Sequence, residues 1–150
     1  MSTLVRKSIH VAAAPDTAFR VFTEMRRWWP LATHTIGGVP AKDAVVEPFV
    51  GGRWYERGED GSTCDWGRVV AWEPPTRLVL TWEITADWRH DAALLTEVEV
   101  RFSPEGTGTR VDLEHRKLDA YGPLAETMRG VFDSEGGWTG LLAAFARAAE

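Results

Sequence analysis

Eight tryptophans stand among these 150 residues, half of the sixteen aromatics. An indole is too large for most small cores, and its N–H needs a partner once buried. The eight are spread over successive segments of the chain. Trp28 and Trp29 close an N-terminal helical stretch, and Trp54, Trp66, Trp72 and Trp82 fall on consecutive strand-like runs. Trp138 opens the last helical stretch, and Trp88, in a polar segment, reads as peripheral. Aromatics drawn from so many segments must converge on one interior. That interior is either a heavy core or an apolar cavity.

Hydrophobic period supplies the segments. Leu4–Val11 alternates weakly and reads as a strand. Pro15 suits a first helical position, and Ala18, Phe19, Val21, Phe22 and Met25 recur at helical spacing up to about Arg27. Pro30 then interrupts a short helix or turn over Trp28–Thr33. Strands follow at Val45–Phe49, Arg53–Arg57, Cys64–Trp72 and Arg77–Thr85, with turn signals at Gly51-Gly52 and Gly58–Ser62. After an irregular Ala86–Ala93, the runs Thr96–Phe102 and Thr109–Lys117 alternate cleanly. Leu118–Gly122 connects, Leu124–Phe132 is helix-compatible, and Trp138–Ala149 is strongly helical. This order predicts one α+β domain over residues 1–150. Its curved antiparallel sheet of six to seven strands wraps a long C-terminal helix, with one or two short helices after the first strand.

Charge and composition exclude several classes. Net charge is −5 with both signs interspersed, so there is no basic footprint for nucleic acid and no polybasic run for anionic lipid. No stretch approaches the ~20 apolar residues of a membrane span. The chain opens without a secretory signal pattern and carries one cysteine, Cys64, so a cytoplasmic protein without disulfides is expected. His10, His34, His90 and His115 have no short paired spacing, so no metal is expected. None of the glycine pairs makes a strand-to-helix phosphate loop, and no cofactor is expected.

The motifs, in order, are Ala14-Pro15, Trp28-Trp29, Pro48-Phe49-Val50-Gly51-Gly52-Arg53-Trp54, Gly67-Arg68-Val69-Val70, Glu73-Pro74-Pro75-Thr76-Arg77-Leu78, Thr81-Trp82, Gly108-Thr109-Arg110-Val111, Glu114-His115 and Gly137-Trp138. In this order and spacing the chain resembles the START-like, or helix-grip, superfamily, and within it the activator of heat-shock-protein ATPase homologue family. The resemblance implies a single domain with a deep apolar cavity between sheet and terminal helix. It also implies relatives that carry lipids, sense hormones, cyclise polyketides or assist chaperones. The eukaryotic co-chaperone has a further N-terminal domain that these residues do not contain. Fold does not fix function across such a group.

Parity selects the candidate site. Trp54, Trp82, Val98, Val100, Leu113 and His115 fall on the inward side of adjacent strands, with Trp138 and Leu142 facing them from the terminal helix. They are expected to line a site for a small apolar or aromatic molecule. His115 reads as a general base or ligand-orienting group, or as a histidine satisfied within the core. Glu56 shares the parity of Trp54 and reads as an acid or base near the cavity mouth, or as a solvated charge. A binding protein without obligatory chemistry leads, a cofactor-free cyclase or hydrolase comes second, and a co-chaperone-like interaction module third. A monomer or homodimer suits all three.

Overall fold

The computed structural model describes residues 3–150. Seven strands form one antiparallel sheet, curled into a half-barrel: β1 (Val5–Val11), β2 (Ala41–Val46), β3 (Arg53–Gly58), β4 (Thr63–Glu73), β5 (Arg77–Trp82), β6 (Thr96–Glu105) and β7 (Gly108–Arg116). Their order across the sheet is β1-β7-β6-β5-β4-β3-β2. Consecutive strands from β2 to β7 pair as antiparallel neighbours through short turns, except that the longer segment 83–95 joins β5 to β6, while β1 crosses to the far edge and pairs with β7. Register slips between Trp54 and Tyr55 and between Val69 and Ala71 mark bulges that add to the bend of β3 and β4.

Three helices fill the concave side. Ala14 is extended and Pro15 takes the first position of α1 (Pro15–Thr23), which buries Ala18, Phe19, Val21 and Phe22. Glu24 leaves helical geometry, so the expected run to Arg27 becomes α1 plus one 3-10 turn, Met25–Arg27. The C-terminal helical region consists of α2 (Ala125–Asp133), an irregular wide turn (Glu135–Thr139) and α3 (Gly140–Ala149). The break is steric. At Gly137 a Cβ would meet the Val131 and Phe132 carbonyl oxygens, so the chain turns there on a residue that has none. The apolar stripe of α3, Leu141, Leu142, Phe145 and Ala149, faces the core as the period predicted. Phe145 meets Phe22 of α1 edge-on, with ring centroids 5.1 Å apart.

Several boundaries differ from the sequence reading: β6 runs on from Phe102 to Glu105, and β2 and β5 also shift. β2 occupies Ala41–Val46, not Val45–Phe49. The Glu47 carbonyl accepts from the Phe49 N–H, the Glu47 carboxylate accepts from the Arg53 N–H at 2.6 Å, and the chain turns. Phe49 and Val50 are therefore an exposed hairpin tip, 54% and 65% accessible. β5 stops at Trp82, and Ile84 continues only as an isolated bridge to His90.

The convex face is held by charge. Glu99 accepts from Arg77 at 2.6 Å, Arg116 at 2.9 Å and Arg101 at 3.1 Å. Burial works to raise this carboxyl, but the three guanidinium groups together hold it below the usual range. Among the described residues no helix is long and apolar enough to cross a membrane.

Candidate functional site

A cavity of about 470 Å³ opens between the sheet, the segment after Trp29, and the break between α2 and α3. Five indoles wall it: Trp29, Trp66, Trp82, Trp88 and Trp138. Trp29 lies 5.0 Å from Trp66 and 6.2 Å from Trp138, and Trp82 lies 6.2 Å from Trp138, measured between ring centroids. Phe132, Ile84 and Leu141 fill the gaps. The polar side chains on the wall are Thr33, His34, Thr35 and Ser134. The cavity is thus an apolar slot with polar groups drawn from two segments, the one after Trp29 and the α2–α3 break.

Three of the four inner rings are fixed from behind through their N–H. Trp29 donates to the His34 carbonyl at 2.8 Å and Trp66 donates to Glu56 Oε1 at 2.8 Å. Trp138 donates to His115 Nδ1 at 3.1 Å. An indole N–H only donates, so Nδ1 accepts and the His115 proton sits on Nε2. Nε2 donates to Thr96 Oγ1 at 2.9 Å, and that hydroxyl donates to the Trp82 carbonyl at 2.9 Å. The chain Trp138–His115–Thr96–Trp82 therefore has one direction throughout. His115 is fully buried, and desolvation pushes its imidazole down to about 3. It is neutral, with no lone pair left for a bound molecule. Phe132 covers it, with centroids 4.3 Å apart.

Glu56 is 1% exposed, which corrects the reading of it as a solvated charge at a strand end. Its carboxylate accepts from the Ile36 N–H at 2.6 Å, the Gly37 N–H at 3.1 Å and the Trp66 indole. It ties one polar wall of the cavity to one indole wall. The Trp82 indole N–H makes no hydrogen bond within bonding geometry. Burial pushes the nearby Tyr121 phenol up. Tyr121 donates to the Ile84 carbonyl at 2.5 Å.

Of the residues selected by parity, Trp82 and Trp138 lie on the cavity wall. Trp54, Val98, Val100, Leu113, His115 and Leu142 are buried in the core and are not among the lining residues. Glu56 also stands behind the wall. Parity gives the face of a sheet, not depth below the next layer. Several wall residues had no periodic signal, Trp88 and His34 foremost. Trp88, read as peripheral, belongs to the cavity, as does His34. His34 Nε2 donates to the Gly136 carbonyl at 2.7 Å, and its Nδ1 lies 2.7 Å from the Thr33 hydroxyl, which donates to it. It joins the segment after Trp29 to the α2–α3 break.

Fold and site together define a helix-grip protein with an indole-walled cavity. The family model for activator of Hsp90 ATPase homolog 1-like proteins matches residues 12–150, and the chain belongs to that family. Among solved structures it is similar to the anthrahydroquino-γ-pyrone synthase Txn09, with 41% identity over 97% of this chain and 96% of that one, at a TM-score of 0.66. It is also similar to CalC, a self-sacrificing resistance protein from Micromonospora echinospora, with 32% identity over 98% of this chain and 94% of that one, at a TM-score of 0.69. A protein from Nitrosomonas europaea shares the fold at 15% identity and a TM-score of 0.70, over 98% of this chain and 94% of its own. No curated protein matches the sequence.

Proposed function

We propose that this protein binds a flat, fused-ring aromatic molecule in the indole-walled cavity. The observation that carries the reading is the wall itself: five indoles around about 470 Å³, with few polar groups. That volume and lining are those of small-molecule sites. Indoles in this arrangement favour a planar ring system, and the Thr33–Thr35 segment favours oxygen substituents on its edge. The 41% identical relative named for synthesis of a fused aromatic product supports the same ligand class.

That relative also favours a second reading, a cofactor-free reaction on the bound molecule. His34 is the one titratable side chain among the lining residues. It is the group to carry a proton there, because its Nδ1 is met only by the Thr33 hydroxyl, which can turn from donor to acceptor, whereas His115 and Glu56 stand behind the wall and are held by N–H donors.

The test is a titration with 1,8-dihydroxyanthraquinone, read by quenching of tryptophan fluorescence and by calorimetry. Saturable one-to-one binding is expected, and Trp82→Ala is expected to weaken it about tenfold. Absence of saturable binding in both readouts excludes the ligand class. For the second reading, product formation from an uncyclised phenolic precursor should disappear in His34→Gln while anthraquinone binding persists.

A further inference from the structure

Trp88 differs from the other indoles of the cavity in two ways. It is 46% exposed, whereas Trp29, Trp66, Trp82 and Trp138 are buried. Its φ is +63°, in the left-handed region that bulky residues adopt only at a cost. Among the described residues no aromatic ring stacks on it. A half-solvated indole on a strained backbone contributes little to holding the fold. Strain of this kind persists where the surroundings enforce it, and it concentrates at functional sites.

The surroundings do enforce it. The Trp88 N–H donates to the Thr85 carbonyl at 2.9 Å, and the Thr85 N–H donates to the Arg89 carbonyl at 2.8 Å. The Arg89 N–H donates to Thr85 Oγ1 at 3.1 Å. His90 bridges to Ile84 and its Nε2 lies 2.9 Å from Glu83 Oε1, a carboxylate that is itself buried. The Asp91 N–H donates to the Glu83 carbonyl at 2.8 Å. The turn is clamped at its base on both sides, and Trp88 is the large apolar residue at its tip.

We propose that Trp88 is a specificity-determining residue of the cavity. Its indole covers the outer ring of a bound fused-ring aromatic, so that the ligand lies between Trp88 and the inner indoles. The proposal rests on the reading of the cavity as a site for such a molecule. A ligand too short to reach the mouth gains nothing from Trp88, so the residue selects for length.

The experiment uses Trp88→Gly, because glycine takes a positive φ without strain and removes the ring. Two probes are titrated by calorimetry: 1,8-dihydroxyanthraquinone with three fused rings, and 1-naphthol with two. Affinity for the anthraquinone should fall about tenfold, while affinity for the naphthol changes less than about threefold. Tm should stay within about 3 °C of wild type or rise. Trp88→Phe should restore part of the anthraquinone affinity. Unchanged anthraquinone affinity in Trp88→Gly overturns the proposal, and so does a loss of affinity matched by a large fall in Tm, which makes the ring structural. Failure of the wild type to bind either probe overturns the ligand class itself, a result distinguishable from both.

Discussion

Trp138 shows how one side chain can set the state of another. Its donated N–H occupies His115 Nδ1, and a proton added there would face that N–H inside the core. Burial, which strips water from the ring, disfavours the charged imidazole, so the folded protein refuses a proton that the unfolded chain accepts below about pH 6.5. Between that pH and about 3, the unfolded state holds more protons, so stability falls as pH falls and is fully present above the window. The slope from this one residue approaches about 1.4 kcal/mol per pH unit. Urea titrations of wild type and His115→Gln from pH 7 to pH 4 should diverge by that slope, the wild type losing stability faster. Parallel curves would mean that His115 is not neutral and buried. The inward direction of His115 was legible from strand alternation. Its occupied lone pair was not, because the partner indole lies 23 residues on, across the fold.

At the scale of elements, α3 grips the molecule through Phe145, which is fully buried against Phe22 and Trp28. Phe145→Ala should cost between about 3 and 5 kcal/mol in urea denaturation. A loss below about 1 kcal/mol would mean that α1 and α3 do not depend on this contact. Periodicity identified this helix face and the strands β6 and β7 because local alternation and burial agree there. It misplaced β2, where Glu47 turns the chain with both its carbonyl and its carboxylate and leaves an apolar run in solvent. It could not bring Trp88 to the cavity, since a clamp made by Glu83, Thr85 and His90 puts it there. The cavity set from Val98, Val100 and Leu113 failed on depth. Phe132 stacks over His115 and Trp138 bonds it, so these two rings, not the strand residues next to His115, face the space.

Taken whole, the molecule is an asymmetric shell. Its convex face is laced by charges around Glu99, and its concave face is almost all ring and aliphatic carbon. The bland and the functional readings of eight tryptophans both apply. Trp54 and Trp28 belong to a packed core, while five others surround a space. The order of the sheet has a further consequence, for the chain as it is made. β1 leaves the ribosome early, yet the strand that completes it, β7, ends at Arg116. At roughly 5–20 residues added per second, β1 waits on the order of 5–20 s for its partner. Through that interval its backbone donors and acceptors are open to any passing strand. Arg6, Lys7 and His10 stand along it and make it a poor template for another chain. Arg6 and Lys7, which pair with Glu114 and Asp133 in the folded protein, thus carry their charge along this strand while its edge is still unpaired.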